Sequence, residues 1–314
     1  MPEKVIAILP TAERKPVVRL SMPLAPIEML LVLGMIIWGT HYSVAKAALS
    51  VLPPFLFNAL RFSAAVATLY LIMRASSESF ALKRSAILRL IFTSFLLHVL
   101  YQVFFINGLR YTTVANSVLI STIAPVGVII VNILLRRERG SWRLFSGMSL
   151  AFGGVLIVIL SRYADQIGLG TPTTLLGDAL TVIGTFIWVG MTFSLRTLMT
   201  DNPVIPTSFW LLLCGTVLDA CIAIPETLHF DWSLLTWEVG LAVLYSGVVS
   251  IGIGGAIWNL ALKRIGASRT ASFLNLQPIV AAFVAVIFLG EPFTLWLVLG
   301  IGLVIVGMTR LRIG

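Results

Sequence analysis

The sequence predicts an all-α membrane protein: ten transmembrane helices in two inverted five-helix repeats, with both termini in the cytoplasm. Three observations carry that expectation. They are a composition that water would not wet, apolar runs of membrane-spanning length, and an echo between the two halves of the chain. Of 314 residues, 58% are hydrophobic and 11% charged, against about 25% charged in soluble domains, and the mean hydropathy is +1.01. The net charge of +9 lies in short clusters between apolar runs. It therefore points to membrane topology and away from a nucleic-acid surface.

A span needs about 20 mostly apolar residues. Ten runs meet that measure, at 27–48, 54–73, 89–109, 112–135, 144–161, 175–198, 204–224, 239–262, 267–289 and 292–309. Turn signals such as Pro53-Pro54, Arg139-Gly140 and Asn202-Pro203 mark the joints. The spans are expected to be helices because lipid offers no partner to an unpaired backbone group, and the short alternating strands of a barrel are absent. The first run is too long for a signal-peptide core and is expected to be retained. The resulting division is a cytoplasmic tail 1–26, a first repeat 27–161, a linker 162–174, a second repeat 175–309 and a tail 310–314.

The cations fit this count. With the N-terminus and every second loop on one side, that side holds 18 of the 22 Lys and Arg, and the other holds Lys46, Arg110 and Arg162. Basic loops stay cytoplasmic, which orients the chain. Cys214 and Cys221 share one expected helix, about 10 Å apart at 1.5 Å rise per residue, too far for a disulfide. No metal-ligand cluster, cofactor motif or GxxxxGK[ST] nucleotide loop is present.

The two halves repeat one another. "WGTHYSVAKAAL" at Trp38 is echoed by "WVGMTFSLRTLM", with Trp188 for Trp38 and Arg196 for Lys46, at an offset of 150. Later the offset is 153, matching Pro125 to Pro278, Glu138 to Glu291, Gly147 to Gly300 and Gly154 to Gly307. Five spans followed by five similar spans place the second copy upside down, the usual build of a secondary transporter. "PPFLFNALRF", "RYTTVANSVLISTIAPV", "KRIGASRTASFLNLQPIVAA" and "FLGEPFTLWLVLGIGLVIVG" complete the pattern. On these segments the chain resembles the drug/metabolite transporter superfamily, in its ten-helix EamA-type permeases. The resemblance implies export of amino acids, other small metabolites or toxic compounds across a bacterial inner membrane, without cofactor and with a monomer sufficient.

Polar groups in lipid face a bundle interior or cavity. Trp38, His41, Tyr42 and Ala45 share one face of the first span, and His98, Tyr101, Gln102 and Phe105 repeat that spacing in the third. Both stripes suit the wall of a small amphipathic solute's pocket; interhelical packing is the alternative. Pro125 and Pro278 are expected hinges, flanked by Ser121 and Thr122 and by Asn275 and Gln277, which could meet a ligand. Trp188 is expected to cap the cavity from the second half. Trp258, Asn259 and Asn107 are placed as gates or helix-end anchors, and Gly247, Gly252, Gly254 and Gly255 as a close-packing run.

Arg61 lies inside the second span and wants a partner; Asp219 and Asp178 are at suitable depth, and a substrate carboxylate is the alternative. Glu138 and Glu291-Pro292 read as helix-end signals. With no acid at mid-bilayer, His41 and His98 are the candidate proton carriers, and facilitated diffusion or exchange is equally compatible. The leading expectation is a secondary exporter of amino acids, aromatic or other neutral ones, by alternating access. Its rival is an exporter of hydrophobic or cationic drugs. A membrane-embedded enzyme would need an acidic metal motif that the sequence lacks, and a sensory protein would not need the stripes.

Overall fold

The computed structural model describes residues 26–75, 81–136, 141–165, 172–289 and 294–312. These residues are helical and contain no strand. The helices are α1 (Pro26–Leu49), α2 (Pro54–Ala75), α3 (Arg84–Tyr111), α4 (114–134), α5 (Trp142–Asp165), α6 (Pro172–Asp201), α7 (Val204–His229), α8 (Trp237–Ile265), α9 (267–289) and α10 (Leu295–Arg312). Among the described residues, seven stretches, in α1 to α4 and α6 to α8, are long and apolar enough to cross a membrane. Glu138, Glu291 and Pro292, most of the N-terminal tail, the core of the 162–174 linker and the last two residues lie outside the described residues.

Large apolar side chains on the outer faces, such as Leu71, Leu88, Phe92, Phe186 and Phe283, are exposed. That girdle suits hydrocarbon, where it would be a liability in water. Apolar burial then does little to join helix to helix in lipid, and close packing must supply the cohesion. Glycines supply the room. A methyl on Gly177 of α6 would lie 2.6 Å from the Thr112 backbone nitrogen, and one on Gly154 of α5 would lie 2.6 Å from the Gly300 carbonyl oxygen of α10.

The packing comes in matching sets: α1 lies on α8 and α9, and α6 lies on α3 and α4. Likewise α2 crosses α8 and α7 crosses α3, while α2 packs with α7 and α5 with α10. Local irregularities match too. α3 contains a π-helical segment at Phe95–Leu100 and α8 contains one at Tyr245–Gly254. α4 breaks at Thr122, three residues before Pro125, and α9 passes through a 3-10 turn at Ser272–Leu276 before Pro278. Each proline so begins a new helical segment, where its missing N–H costs little. Thr122 donates to the Leu119 carbonyl at 2.6 Å and Asn275 to the Ser272 carbonyl at 2.5 Å. The polar neighbours of the prolines thus satisfy backbone freed by the breaks.

The helix ends are tied across the bundle. Lys46 donates to the carbonyls of Leu109, Arg110 and Thr112 at 2.7, 2.8 and 2.6 Å, capping the C-terminus of α3. Arg196, its echo, lies against Gly266 at the C-terminus of α8. Lys46 is therefore a helix cap, and its echo sits at the matching helix end. Glu226 of α7 accepts from the backbone nitrogens of Phe55 and Leu56, both at 2.8 Å, and caps α2. α7 runs on through Pro225 to His229, four residues past the proline where the expected span stopped. In the following loop, the hydrogen bonds from Ser233 hold the Asp231 carboxyl below its ordinary range.

Lys46→Met keeps the stem and deletes the three charge-assisted bonds. At about 1.5–3 kcal/mol for a hydrogen bond to a charged group, the variant is expected to melt markedly lower in a fluorimetric thermal scan, with Lys46→Arg intermediate. An unchanged midpoint would show that water caps α3 equally well.

Candidate functional site

Two clasps bracket the bundle. At the start of α1, Glu28 receives the Arg269 guanidinium of α9 at 2.5 and 3.1 Å. At the start of α6, Asp178 accepts from the Thr112 hydroxyl at 2.5 Å and from the Asn116 amide at 3.2 Å. Asp178 stands 150 residues after Glu28, and Asn116 stands 153 before Arg269, so the clasps occupy corresponding places. One is an ion pair and the other is an acid held by neutral donors.

Between them lies a central cavity with room for water-sized molecules totalling about 160 Å³. Its wall is drawn mainly from α1, α2 and α3 and from α6, α7 and α8, the first three helices of each half. Trp38, His41 and Tyr42 enter from one face of α1, and His98, Tyr101, Gln102 and Phe105 from one face of α3. Arg61, Ser121, Trp188 and Gln277 line it as well. Asn275, Pro125, Pro278, Asp178 and Asp219 do not.

Aromatic rings form a continuous surface along the cavity. Trp38, Trp188 and Trp258 lie with ring centroids 5.3–5.8 Å apart. Trp188 continues to Tyr101 at 5.1 Å, Tyr101 stacks on Phe105 at 5.3 Å, and Phe105 meets Tyr42 at 5.5 Å. The π segment of α8 contributes the anchor, because the Ser250 carbonyl accepts from Trp38 Nε1 at 2.9 Å. The π segment of α3 carries His98, which is packed edge-on against Phe62 at 5.1 Å. Such widened turns expose groups that a regular helix hides.

Arg61 is 1% exposed. Its Nε and Nη2 donate to Asn58 Oδ1 at 3.1 and 2.7 Å, and Nη2 also donates to Gln102 Oε1 at 2.8 Å. Nη1 sits 3.1 Å from His41 Nε2; since arginine only donates, that nitrogen accepts and His41 carries its proton on Nδ1. Phe57 and Phe62 lie under the guanidinium at 4.8 and 5.1 Å.

The expected ion pair is corrected by this arrangement. No salt bridge joins Arg61 to Asp219 or Asp178 among the described residues. Asp178, at the start of α6, accepts from Thr112 and Asn116 instead. Asp219, buried on α7, attracts Arg61 without touching it, and its Oδ2 has no hydrogen-bond partner. Asn275, expected near a ligand, is turned to its own backbone.

Two further lining groups, Thr181 and Thr185, carry no signal of their own in the sequence. Thr181, Thr185 and Trp188 lie at i, i+4 and i+7 on α6, a stripe of the same kind as those on α1 and α3. Trp258 and Asn259 line the wall too, Asn259 donating to Ser208 at 2.8 Å. No group of three or more His, Cys, Asp or Glu positioned for a metal is found among the described residues.

Comparison with known proteins gives a consistent result. The model of the EamA-like transporter family matches twice, at residues 25–160 and 175–311. The uncharacterized transporter YetK of Bacillus subtilis (strain 168) is 26% identical over 88% of this chain and 83% of its own length. The S-adenosylmethionine/S-adenosylhomocysteine transporter of Chlamydia muridarum (strain MoPn / Nigg) is 25% identical over 88% of this chain and 89% of its own. A solved crystal structure superposes with a TM-score of 0.72 at 18% identity, covering 92% of this chain and 98% of that one; it speaks to the fold.

Proposed function

We propose that this chain, which belongs to the EamA-like transporter family, is a secondary exporter of small metabolites, amino acids foremost, working by alternating access in a bacterial inner membrane. The observation that carries the reading is the central cavity, walled mainly by the first three helices of each half. Support for two inverted five-helix repeats comes from the double family match and the π segments and proline breaks at corresponding places. In such a pair, each half takes the other's conformation in turn, and the site is reached from alternate sides. Pro125 and Pro278 are the hinges of this scheme. Ten spans with both termini cytoplasmic are the topology that accommodates it, in a monomer.

Trp38, Tyr42, Tyr101 and Trp188 would hold the body of the solute, with His41, His98, Gln102, Ser121 and Gln277 offering hydrogen bonds. An aromatic or other neutral amino acid suits that division of labour. The chlamydial relative is named for two solutes that each carry an amino-acid group, the first of them also a sulfonium cation, so its name fits both this class and the rival one. The tryptophan trio invites the rival reading, a cationic solute, through cation–π attraction of about 0.5–2 kcal/mol. Arg61 opposes it, as the one Lys or Arg in the wall among the described residues, because a like charge in a low-dielectric site is repulsive.

The test is efflux from proteoliposomes loaded with a labelled amino-acid panel, S-adenosylmethionine included, with and without a pH gradient. Protein-dependent flux of one class is expected, lost in His98→Ala and Tyr101→Ala protein that stays monodisperse. Flux that follows the gradient makes His98 the coupling group, because Nε2 of His41 is occupied by Arg61. Equal flux with and without protein would end the reading.

A further inference from the structure

The cavity is rich in hydrogen-bond donors and poor in acids. Among the described residues, Arg61 is the one Lys, Arg, Asp or Glu in its wall. Five N–H groups belong to a guanidinium; the bonds to Asn58, Gln102 and His41 engage four, which leaves one on Nη1. Gln102 gives its oxygen to Arg61, which leaves its NH₂ group as a donor, and no bond from that group is found among the described residues. Tyr101, next along the same helix, also lines the cavity, and no hydrogen bond from its hydroxyl is found among the described residues. At the other end of the aromatic wall, Trp258 Nε1 is buried and unpaired.

We infer that the site recognises an anionic head, a carboxylate, at Arg61, Gln102 and Tyr101, with an apolar body laid along Tyr101, Trp188 and Trp38, and that it has no requirement for an ammonium group. The inference rests on the transport reading only for its biological meaning; the recognition itself is a binding property. A carboxylate accepts from a guanidinium and a phenol at once, with charge-assisted bonds stronger than neutral ones. It also brings the counter-charge that Arg61 lacks in contact. An ammonium group would meet only hydroxyls, amide oxygens and ring faces, beside a like charge. Aryl-alkanoates and amino acids are thus one substrate class here, with the amino group optional. Asp219 stands outside the wall and competes for Arg61 at a distance, so its removal should favour the ligand.

Isothermal titration calorimetry on the intact protein in nanodiscs tests this with three probes: 3-phenylpropionate, its methyl ester and phenethylamine. The carboxylate is expected to bind at least about tenfold tighter than the other two, since a bond to a charged group is stronger than a neutral one. Arg61→Gln is expected to remove that preference, bringing the carboxylate's affinity down to that of the ester measured in the same variant, and Asp219→Asn to strengthen the carboxylate severalfold. Phenethylamine binding as tightly as 3-phenylpropionate in the unaltered protein would overturn the inference without any variant. Failure of all three at millimolar concentration would do so too. The transport reading fails separately: carboxylate binding without flux in proteoliposomes retires that reading alone, and flux of amines without carboxylate binding retires this one alone.

Discussion

Gly247→Ala is expected to destabilise the protein severely, whereas Gly240→Ala, seven residues earlier in the same helix, is expected to leave it intact or firmer. A methyl on Gly247 would collide with the Arg61 carbonyl oxygen and lie 2.7 Å from Ala64 Cβ. The first is backbone of a helix held from both sides, so it cannot step aside. Overpacking of this kind costs about 1–3 kcal/mol even where side chains can adjust, and here the helix that must move carries Arg61. A methyl on Gly240 meets nothing within 4 Å, and alanine is favoured over glycine by about 1 kcal/mol inside a helix. Monodisperse yield and thermal midpoint, compared between the two variants, decide the matter. Equal behaviour would mean that α8 does not ride on α2 as described.

The second large effect is functional. Trp188→Ala is expected to cut solute flux by about tenfold or more, equivalent to about 1.4 kcal/mol of binding, and Trp188→Phe by much less. Trp188 is the junction of the aromatic surface, touching Trp38, Trp258 and Tyr101. Its removal parts the wall contributed by the first half from that of the second. Initial efflux rates from proteoliposomes, normalised to folded protein, measure this. A wild-type rate in the alanine variant would place the solute elsewhere.

Much of the site was legible in residue spacing. The α1 and α3 stripes follow from the helical period alone, and all eight of their members but Ala45 line the cavity. The α6 stripe obeys the same rule, but threonines recur throughout the chain and look ordinary beside tryptophan and histidine. The partner of Arg61 was not legible. Depth along a helix can be counted in sequence, but azimuth between helices cannot, and Asp178 and Asp219 were matched to Arg61 by depth. Asn58, one turn before Arg61 on its own helix, was the nearer candidate by simple periodicity. Glu226 capping α2 required knowing that α7 lies beside α2. The π segments leave no local signature beyond the small residues between Tyr245 and Gly255, because an extra residue per turn is stabilised by what it packs against.

The two clasps differ in how salt reaches them. The Arg269 side chain is 60% exposed and Glu28 10%, whereas Asp178, Thr112 and Asn116 are all buried. At 1 M ionic strength the Debye length shrinks to about 3 Å, which weakens the open ion pair and leaves the enclosed acid and its neutral donors nearly untouched. Ionic strength therefore acts more strongly on the Glu28–Arg269 clasp than on the enclosed Asp178 one, so electrolyte in the medium is a handle on which clasp loosens first.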